Sequence, residues 1–307
     1  MWLYARLHPT TQILTTMTIA IFGNAMKENT LIEVSHILAF MEKRGVNVLL
    51  SQELRQELNL REFPPFPETR AGEEEPASPY NEPIDFAMSI GGDGTFLTTA
   101  AAIGNRNIPI IGVNCGQLGF LADVQTKDVD MIMNQLIEGQ YTIEQRSVLQ
   151  VTCGREGLIM APNALNEIAI MKQGMSSMIS VEVSVNGEIL HTYRADGLVI
   201  STPTGSTAYN LSIGGPLLVP QTRGLILAPI ATHSLTVRPL VVPDDWRFDL
   251  KVSSRYSSYM ISVDGRSQIL STDVTLHIER APYTIKVVQV GENSFLHSLR
   301  NKLNWGR

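Results

Sequence analysis

Apolar runs alternate with amphipathic ones through the first half of the chain. Thr18-Ile19-Ala20-Ile21-Phe22 is continuously apolar after its first residue and predicts a buried strand that ends at Gly23-Asn24. Glu28 to Lys43 then sets Leu31, Val34, Leu38 and Met41 near helical spacing, and Gly45 ends that helix. Asn47 to Leu50 starts a second strand. The rhythm returns with a strand at Phe86 to Ile90, a helix at Phe96 to Ala102, a strand at Ile108 to Asn114 and a short helix at Met131 to Glu138. Repeated strand–helix–strand order predicts a Rossmann-like α/β domain over residues 17–140 with a mostly parallel sheet. One stretch breaks the rhythm. Residues 61–83 hold six prolines and Glu73-Glu74-Glu75, which predicts a solvated, mobile loop, either a plain linker or a lid.

From Tyr141 the period changes. Val148 to Val151, Leu158 to Ala161, Glu167 to Ile170, Ile179 to Val185, Leu198 to Ser201, Leu225 to Ala228, Arg247 to Val252, Tyr259 to Val263 and Val274 to Glu279 are short strand-like runs. Asn186-Gly187 is a strong hairpin signal. The prediction is an all-β, sandwich-like domain over 141–280. Residues 281–307 read as a strand and then a helix that return to pack on the N-terminal domain. Residues 1–16 read as an extension without structure, and Met17 is a candidate translation start.

Composition narrows the class. With 307 residues, 44% hydrophobic and 18% charged, the chain has material for two cores and is not globally disordered. A formal charge of -6 without a Lys/Arg cluster argues against a nucleic-acid partner. Two distant cysteines, Cys115 and Cys153, and six scattered histidines suggest a reducing compartment, and neither a disulfide framework nor a zinc site. No apolar run has the length of a membrane span.

The chemistry concentrates in two places. In Ile90-Gly91-Gly92-Asp93-Gly94-Thr95 a strand meets a helix through a turn stripped of side chains, where backbone N–H groups and the helix dipole favour phosphate. The one carboxylate there, Asp93, would repel a phosphate by itself, which points to chemistry. The bland alternative is a tight turn with Asp93 as its N-cap. The turn is neither a Walker A loop nor a Gly-x-Gly-x-x-Gly fingerprint. The second place is Asp196-Gly197 through Thr202-Pro203-Thr204-Gly205-Ser206-Thr207-Ala208-Tyr209, closed by Gly214-Gly215-Pro216. Its hydroxyls and N–H groups suit phosphate or ribose, and Tyr209 suits a base. A Ser/Thr-rich helix cap is the competing view. Asn166-Glu167 offers an amide beside a carboxylate, a pair suited to ribose hydroxyls or an adenine edge, though such pairs are commonly structural at turns. His233 and Arg238 are weaker candidates.

Taken in order, Gly91-Gly92-Asp93-Gly94-Thr95, Asn166-Glu167, Arg194-Ala195-Asp196-Gly197, Thr202 to Tyr209, Gly214-Gly215-Pro216 and His233 to Val241 resemble the NAD kinases from about Met17 to the Leu303-Asn304-Trp305-Gly306 tail. Lipid kinases and phosphofructokinases share the first motif, whereas the Thr202–Tyr209 run is far more specific. The resemblance implies an α/β domain and a β-rich domain with the site between them. It also implies transfer of a phosphoryl group from ATP, or polyphosphate in some members, to the 2′-hydroxyl of the adenosine ribose of NAD. It further implies a divalent metal such as Mg²⁺ carried by the phosphate donor, and a cytoplasmic homodimer or homotetramer. By matching position, Asp93 is the catalytic aspartate. Gly91, Gly92, Gly94 and Thr95 meet the phosphates, and Asp93 and Gly94 also meet NAD. Asn166, Glu167, Thr204, Thr207, Ala208 and Tyr209 hold NAD. Arg194 and Asp196 contact the dinucleotide, often from a neighbouring subunit. Two departures stand out. Thr98 replaces the Arg or Lys found three residues after the motif threonine in many members. Asp264-Gly265-Arg266 replaces Asp-Gly-Gln, which makes Arg266 a further candidate for NAD. The expected mechanism is in-line transfer with Asp93 orienting the 2′-hydroxyl and taking its proton. The alternatives are a lipid or sugar kinase of the same superfamily and a non-catalytic dinucleotide-binding regulator.

Overall fold

The first apolar run becomes the centre of a parallel sheet. The computed structural model describes residues 17–67, 79–80, 82–116, 119–154, 157–174, 177–291 and 295–304. The expectations for residues 1–16, 68–78 and the Trp305-Gly306 tail lie outside the described residues.

The N-terminal part runs β1 (Thr18–Gly23), α1 (Glu28–Lys43), β2 (Asn47–Leu50), α2 (Gln52–Glu57), β3 (Phe86–Gly91), α3 (Asp93–Ile103), β4 (Ile110–Asn114), β5 (Val124–Gln125) and α4 (Val129–Ile137). β1 pairs in parallel with β2 and β3, and β3 pairs in parallel with β4. Alternation along β1 sends Ile19 and Ile21 to one face, into a core with Val34, Ile37 and Met41 of α1 and Ile132 and Met133 of α4. Ala20 and Phe22 face the other side, where Phe96, Ala100 and Ile103 of α3 pack. Helices thus cover both faces, as a parallel sheet requires. The short α2 escapes a periodicity search. It is started by Ser51, whose Oγ accepts the Leu54 N–H at 3.4 Å.

Within the loop expected over 61–83, Phe66 and Tyr80 are tied to the N-terminal sheet. The Phe66 N–H donates to the Leu50 carbonyl at 2.7 Å, and the Phe66 ring is buried edge-on to Phe22 at 4.8 Å. The Tyr80 hydroxyl donates to the Val48 carbonyl at 3.0 Å. An aromatic ring buried against the core anchors a proline-rich segment that composition alone assigns to solvent.

The second part runs β6 (Thr142–Cys153), β7 (Asn163–Ala164), β8 (Glu167–Lys172), β9 (Ile179–Val185), β10 (Glu188–Ala195), β11 (Gly197–Ser201), α5 (Tyr209–Ser212), β12 (Gly224–Ile230), β13 (Leu240–Pro243), β14 (Phe248–Ser253), β15 (Ser258–Val263), β16 (Arg266–Ser271), β17 (Leu276–Gln289) and α6 (Phe295–Leu303). β8, β11, β12, β13, β15 and β16 form an antiparallel sheet in the order β13-β12-β11-β8-β15-β16. Its inner face packs on β6, β9, β14 and β17, with Ile168, Ile170, Leu198, Ile200 and Ile261 meeting Val181, Val183, Phe248, Leu250 and Ile278. This is the sandwich-like packing the alternating pattern predicts. The Asn186-Gly187 turn has φ of 51° and 89°, the left-handed pair a tight hairpin needs.

One predicted strand is absent. Leu158 to Ala161 forms bends, not a strand. One side chain meets two of its backbone groups: Gln268 accepts the Met160 N–H at 3.2 Å and donates to the Leu158 carbonyl at 2.9 Å. Ile159 is buried and Leu158 partly buried in the sandwich core, so apolar residues there fill space from a loop.

The two parts share a sheet. β17 pairs along its length with β6 and touches β4 in parallel at Val287–Ile110, which makes the order β10-β9-β14-β17-β4-β3-β1-β2 continuous. Its two halves, Val274–Glu279 and Ile285–Val290 in the sequence pattern, are one strand with a register shift between Arg280 and Thr284.

Candidate functional site

Asp93 is the first residue of α3, and Gly92 is the N-cap, so the capping alternative for Asp93 is corrected. Its carboxylate turns to another loop. Oδ2 accepts the Phe120 N–H at 2.9 Å, and Oδ1 accepts those of Leu121 at 3.0 Å and Ala122 at 3.2 Å. The approach is close enough that a Cβ on Gly119 would stand 1.9 Å from Oδ1. The glycines of the turn divide their work. A Cβ on Gly91 would meet Thr95 Oγ1 at 2.3 Å, so Gly91 is small to admit Thr95. A Cβ on Gly92 or Gly94 would meet nothing within 4 Å, so those two open the turn to a ligand.

That opening lies where ligands collect in open α/β sheets, beyond the carboxyl ends of adjacent parallel strands whose connections leave in opposite directions. A cavity of about 560 Å³ is lined by Gly23, Asn24 and Lys27 after β1 and by Gly92, Gly94, Thr95, Thr98 and Thr99. α3 carries no lysine or arginine, while Lys27 stands at the N-cap of α1.

Asn166 and Glu167 sit on a turn built by a second carboxylate. Asp264 accepts the N–H groups of Leu165 at 2.7 Å, Asn166 at 2.9 Å and Glu167 at 3.1 Å. Burial pushes the Asp264 carboxyl up, against the pull of those three N–H groups and of Arg266. Arg266 donates from Nη2 to the Asn163 carbonyl at 2.9 Å and stands 4.0 Å from Asp264, bracing this turn. The turn leaves Asn166 Oδ1 and Glu167 Oε2 buried without protein partners, which suits a ligand that brings hydroxyl or amino donors.

Glu167 has a measurable consequence. Burial raises its carboxyl from 4.5 to about 7, with the charge of Asp264 adding to this and the Tyr209 N–H opposing it. The folded state therefore binds this proton more tightly than the unfolded chain. Its contribution to stability is full below about pH 4.5 and is lost as pH rises towards about 7. Thermal melts from pH 5 to 8 should show the wild type losing stability with rising pH relative to Glu167→Gln, which cannot ionise. Parallel profiles would contradict this environment.

The hydroxyl-rich run packs on the same turn. Thr202 Oγ1 donates to the Leu165 carbonyl at 2.6 Å, and the Thr202 N–H donates to the Asn166 carbonyl at 2.9 Å. A Cβ on Gly205 would meet the Asn166 carbonyl oxygen at 2.2 Å. Thr207 Oγ1 donates to the Thr204 carbonyl at 3.2 Å, and Ala208 precedes α5. The Tyr209 hydroxyl reaches Met171 Sδ at 4.0 Å. Asn210 ties the closing turn by donating to the carbonyls of Ser206 at 3.2 Å and Pro216 at 2.9 Å.

Arg146, a charge within a strand pattern, links the two clusters. Its Nη1 donates to Thr204 Oγ1 at 3.5 Å, and Nη2 donates to Glu144 at 2.5 Å. Asp123, next to the loop that holds Asp93, is raised to about 6 by burial while the nearby Arg146 charge pulls it down. Lys302 of α6 lies 3.7 Å from Asp93 Oδ2. The sequence reading missed Asp123, Arg146, Asp264 and Lys302 as site residues. Only Asp264 carried a signal, through the Asp264-Gly265 turn.

Arg194 and Asp196 do not join this group within one chain. Asp196 pairs with Lys172 at 2.7 Å, at the far end of β8 from Glu167. Five residues of strand separate the two, about 17 Å. Arg194 is exposed on β10, the edge strand of the larger sheet. The His233 N–H donates to the Arg194 carbonyl at 3.0 Å, and the Arg238 guanidinium folds onto the Leu235 and Val237 carbonyls at 2.7 and 2.8 Å, so both segments are locally structural.

The ATP-NAD kinase N-terminal domain family matches residues 19–141, and the ATP-NAD kinase C-terminal domain family matches residues 165–290. The chain is 42% identical over 296 residues to an NAD kinase of Bacteroides fragilis, covering 94% of this chain and 98% of the relative. It is 38% identical over 297 residues to an NAD kinase of Flavobacterium johnsoniae, with 94% and 98% covered. Its fold is similar to that of a yeast NADH kinase complexed with NADH, at a TM-score of 0.81 and 23% identity over 95% of this chain and 88% of that one. It is also similar to an NAD kinase from Archaeoglobus fulgidus in complex with ATP, at a TM-score of 0.71 and 24% identity over 94% and 99%.

Proposed function

Since this chain belongs to the ATP-NAD kinase family and phosphorylates NAD, we propose how its residues divide that reaction. The NAD kinase relatives disfavour the lipid or sugar kinase and the silent regulator. ATP is the donor in this reading, and the 2′-hydroxyl of the adenosine ribose is the acceptor. The observation that carries the assignment of roles is the Asp93 carboxylate, fixed by three N–H groups, in a turn whose Gly92 and Gly94 line a cavity.

Oδ1 already accepts two hydrogen bonds, and Oδ2 accepts one and faces Lys302. A carboxylate oxygen has two lone pairs, so Oδ2 is the atom left for a substrate hydroxyl. The ribose 2′-hydroxyl donates there and is aimed at the terminal phosphorus. As the new P–O bond forms, the O–H bond breaks and its proton passes to Oδ2. The bond to the ADP oxygen breaks with its electron pair. A carboxylate is a weak base for an alcohol, with a pKa near 3.9 in a free aspartate, so alignment carries more of the rate than basicity does.

The donor phosphates lie against Gly91, Gly92, Gly94 and Thr95 at the start of α3. Lys27 contributes the charge that Thr98 does not. Asn166 and Glu167 accept hydrogen bonds from NAD, beside Thr204, Thr207, Ala208 and Tyr209, while Arg266 acts from behind through the turn. A divalent cation such as Mg²⁺, bound to ATP, would supply neutralisation of phosphate charge. The residues do not fit a protein-held cation. Asp93 already faces three N–H groups and an ammonium, and among the described residues no three His, Cys, Asp or Glu side chains are placed to hold a metal ion together.

Arg194 and Asp196 act across a subunit boundary in a homodimer or homotetramer, which their distance from Glu167 supports. The described residues contain no helix long and apolar enough to cross a membrane. A cytoplasmic location fits Cys115 and Cys153, both present as thiols and not as a disulfide.

The test is a panel of NAD, NADH, diacylglycerol and hexoses as acceptors with ATP or polyphosphate as donor. NADP from NAD and ATP is expected. NAD phosphorylation with polyphosphate alone would overturn the choice of donor.

A further inference from the structure

Lys302 is an odd lysine for a surface helix. α6 carries two basic residues in its last turn, Arg300 and Lys302. Arg300 is exposed to solvent, whereas the Lys302 side chain keeps only 24% of its exposure and ends on Asp93. Its Nζ stands 4.3 Å from the centre of the Phe120 ring. The backbone N–H of the same Phe120 donates to Asp93 Oδ2, the atom Lys302 faces. At the other end of α6 the Phe295 ring lies 6.3 Å from the Phe120 ring. One residue therefore receives both ends of α6 and also helps to hold Asp93. A helix needed only to cover the domain would not require an ammonium at the carboxylate of the site.

We propose that Lys302 is a positioning residue for phosphoryl transfer. It holds Asp93 Oδ2 towards the acceptor hydroxyl and supplies a positive charge that α3 lacks. This rests on the reading of Asp93 as the group that takes the 2′-hydroxyl proton. When that proton reaches Oδ2, the negative charge on Asp93 disappears. The charge on the transferring phosphoryl and on the leaving phosphate remains. The ammonium, no longer balanced by Asp93, then faces the phosphoryl oxygens. The C-terminal helix thereby belongs to the active site and does more than close the fold.

The experiment uses the full chain with Lys302→Ala, Lys302→Arg and, as a control on the same helix, Arg300→Ala. Initial rates of NADP formation are measured over NAD and ATP, with NAD affinity by calorimetry and thermal melts alongside. Lys302→Ala is expected to lower kcat about 100-fold, the scale of losing one charge-stabilising donor. Its NAD affinity and melting temperature should match those of Arg300→Ala. Lys302→Arg should recover most of the rate, and added methylammonium should partly restore Lys302→Ala. Undiminished kcat in Lys302→Ala overturns the proposal. So does a loss that Lys302→Arg fails to recover and that tracks a fall in melting temperature. The wild type in the same assay separates the two readings. Absence of NADP from the wild type would overturn the functional assignment itself. Normal wild-type turnover with an undiminished Lys302→Ala would overturn this inference alone.

Discussion

Asp93→Asn is expected to fold, to bind NAD and to make almost no NADP. The asparagine keeps the size of the side chain but exchanges one oxygen for an amino group. Three backbone N–H groups, from Phe120, Leu121 and Ala122, point at the native carboxylate. An amide can serve those on one side only, so at least one loses its acceptor, at a cost of about 1–3 kcal/mol. That is tolerable for a domain with cores on both sheet faces. The chemical loss is larger. The side chain can no longer take the 2′-hydroxyl proton, and Lys302 loses its counter-charge. Turnover should fall roughly 100- to 10,000-fold. NADP formation followed with an NADP-specific dehydrogenase measures it, and near-normal turnover would remove Asp93 from the chemistry.

Gly205→Ala should fail for a steric reason. A methyl group there would meet the Asn166 carbonyl oxygen at 2.2 Å, its carbon at 2.5 Å and Ser201 Oγ at 2.6 Å. Two of the three are backbone atoms, so no rotamer change relieves the overlap. Either the Thr204–Thr207 turn lifts away or the Asn166-Glu167 turn shifts, and Asp264 ties the second turn by three hydrogen bonds. The expected cost is about 3 kcal/mol or more, seen as a fall in melting temperature of roughly 5–10 °C. The KM for NAD should rise as well, because both turns that hold it are displaced. A variant with wild-type stability and KM would show that this contact is loose in solution.

Much of the architecture was legible in the chain. The helix read at Glu28 to Lys43 is α1, and the helix read at Phe295 to Leu303 is α6. Both carry clear apolar stripes or clear ends. β9 and the Asn186-Gly187 hairpin followed from strict alternation and one turn signal. The failures have common causes. β10 and β16 are mostly exposed edge strands without a buried face to create a pattern. Leu158 and Ile159 are apolar because they plug a core from a loop, and the partner of the Leu158 carbonyl and the Met160 N–H is the side chain of Gln268. Phe66 anchors a stretch whose prolines and acids speak for solvent.

The candidate site divides the same way. The motifs that carry it are local runs: a glycine turn between strand and helix, a hydroxyl-rich turn after a strand, and an amide next to a carboxylate. Those runs, and through their order the family, were determined by sequence alone. The positions of the charges were not. Asp93 is held by residues 27 to 29 positions away, and Asp264 holds residues 97 to 99 positions away. Arg146 meets Thr204 across 58 positions, and Lys302 returns from the last helix to the first motif. Arg194 and Asp196 lie near the other motifs in the chain and far from Glu167 in one subunit, because β8 and β11 run antiparallel. Periodicity and turn chemistry report on neighbours within a few residues, since they arise from backbone sterics and from which face is buried. Contacts between carboxylates and distant N–H groups or ammonium groups depend on how the elements pack, and only the tertiary structure decided them.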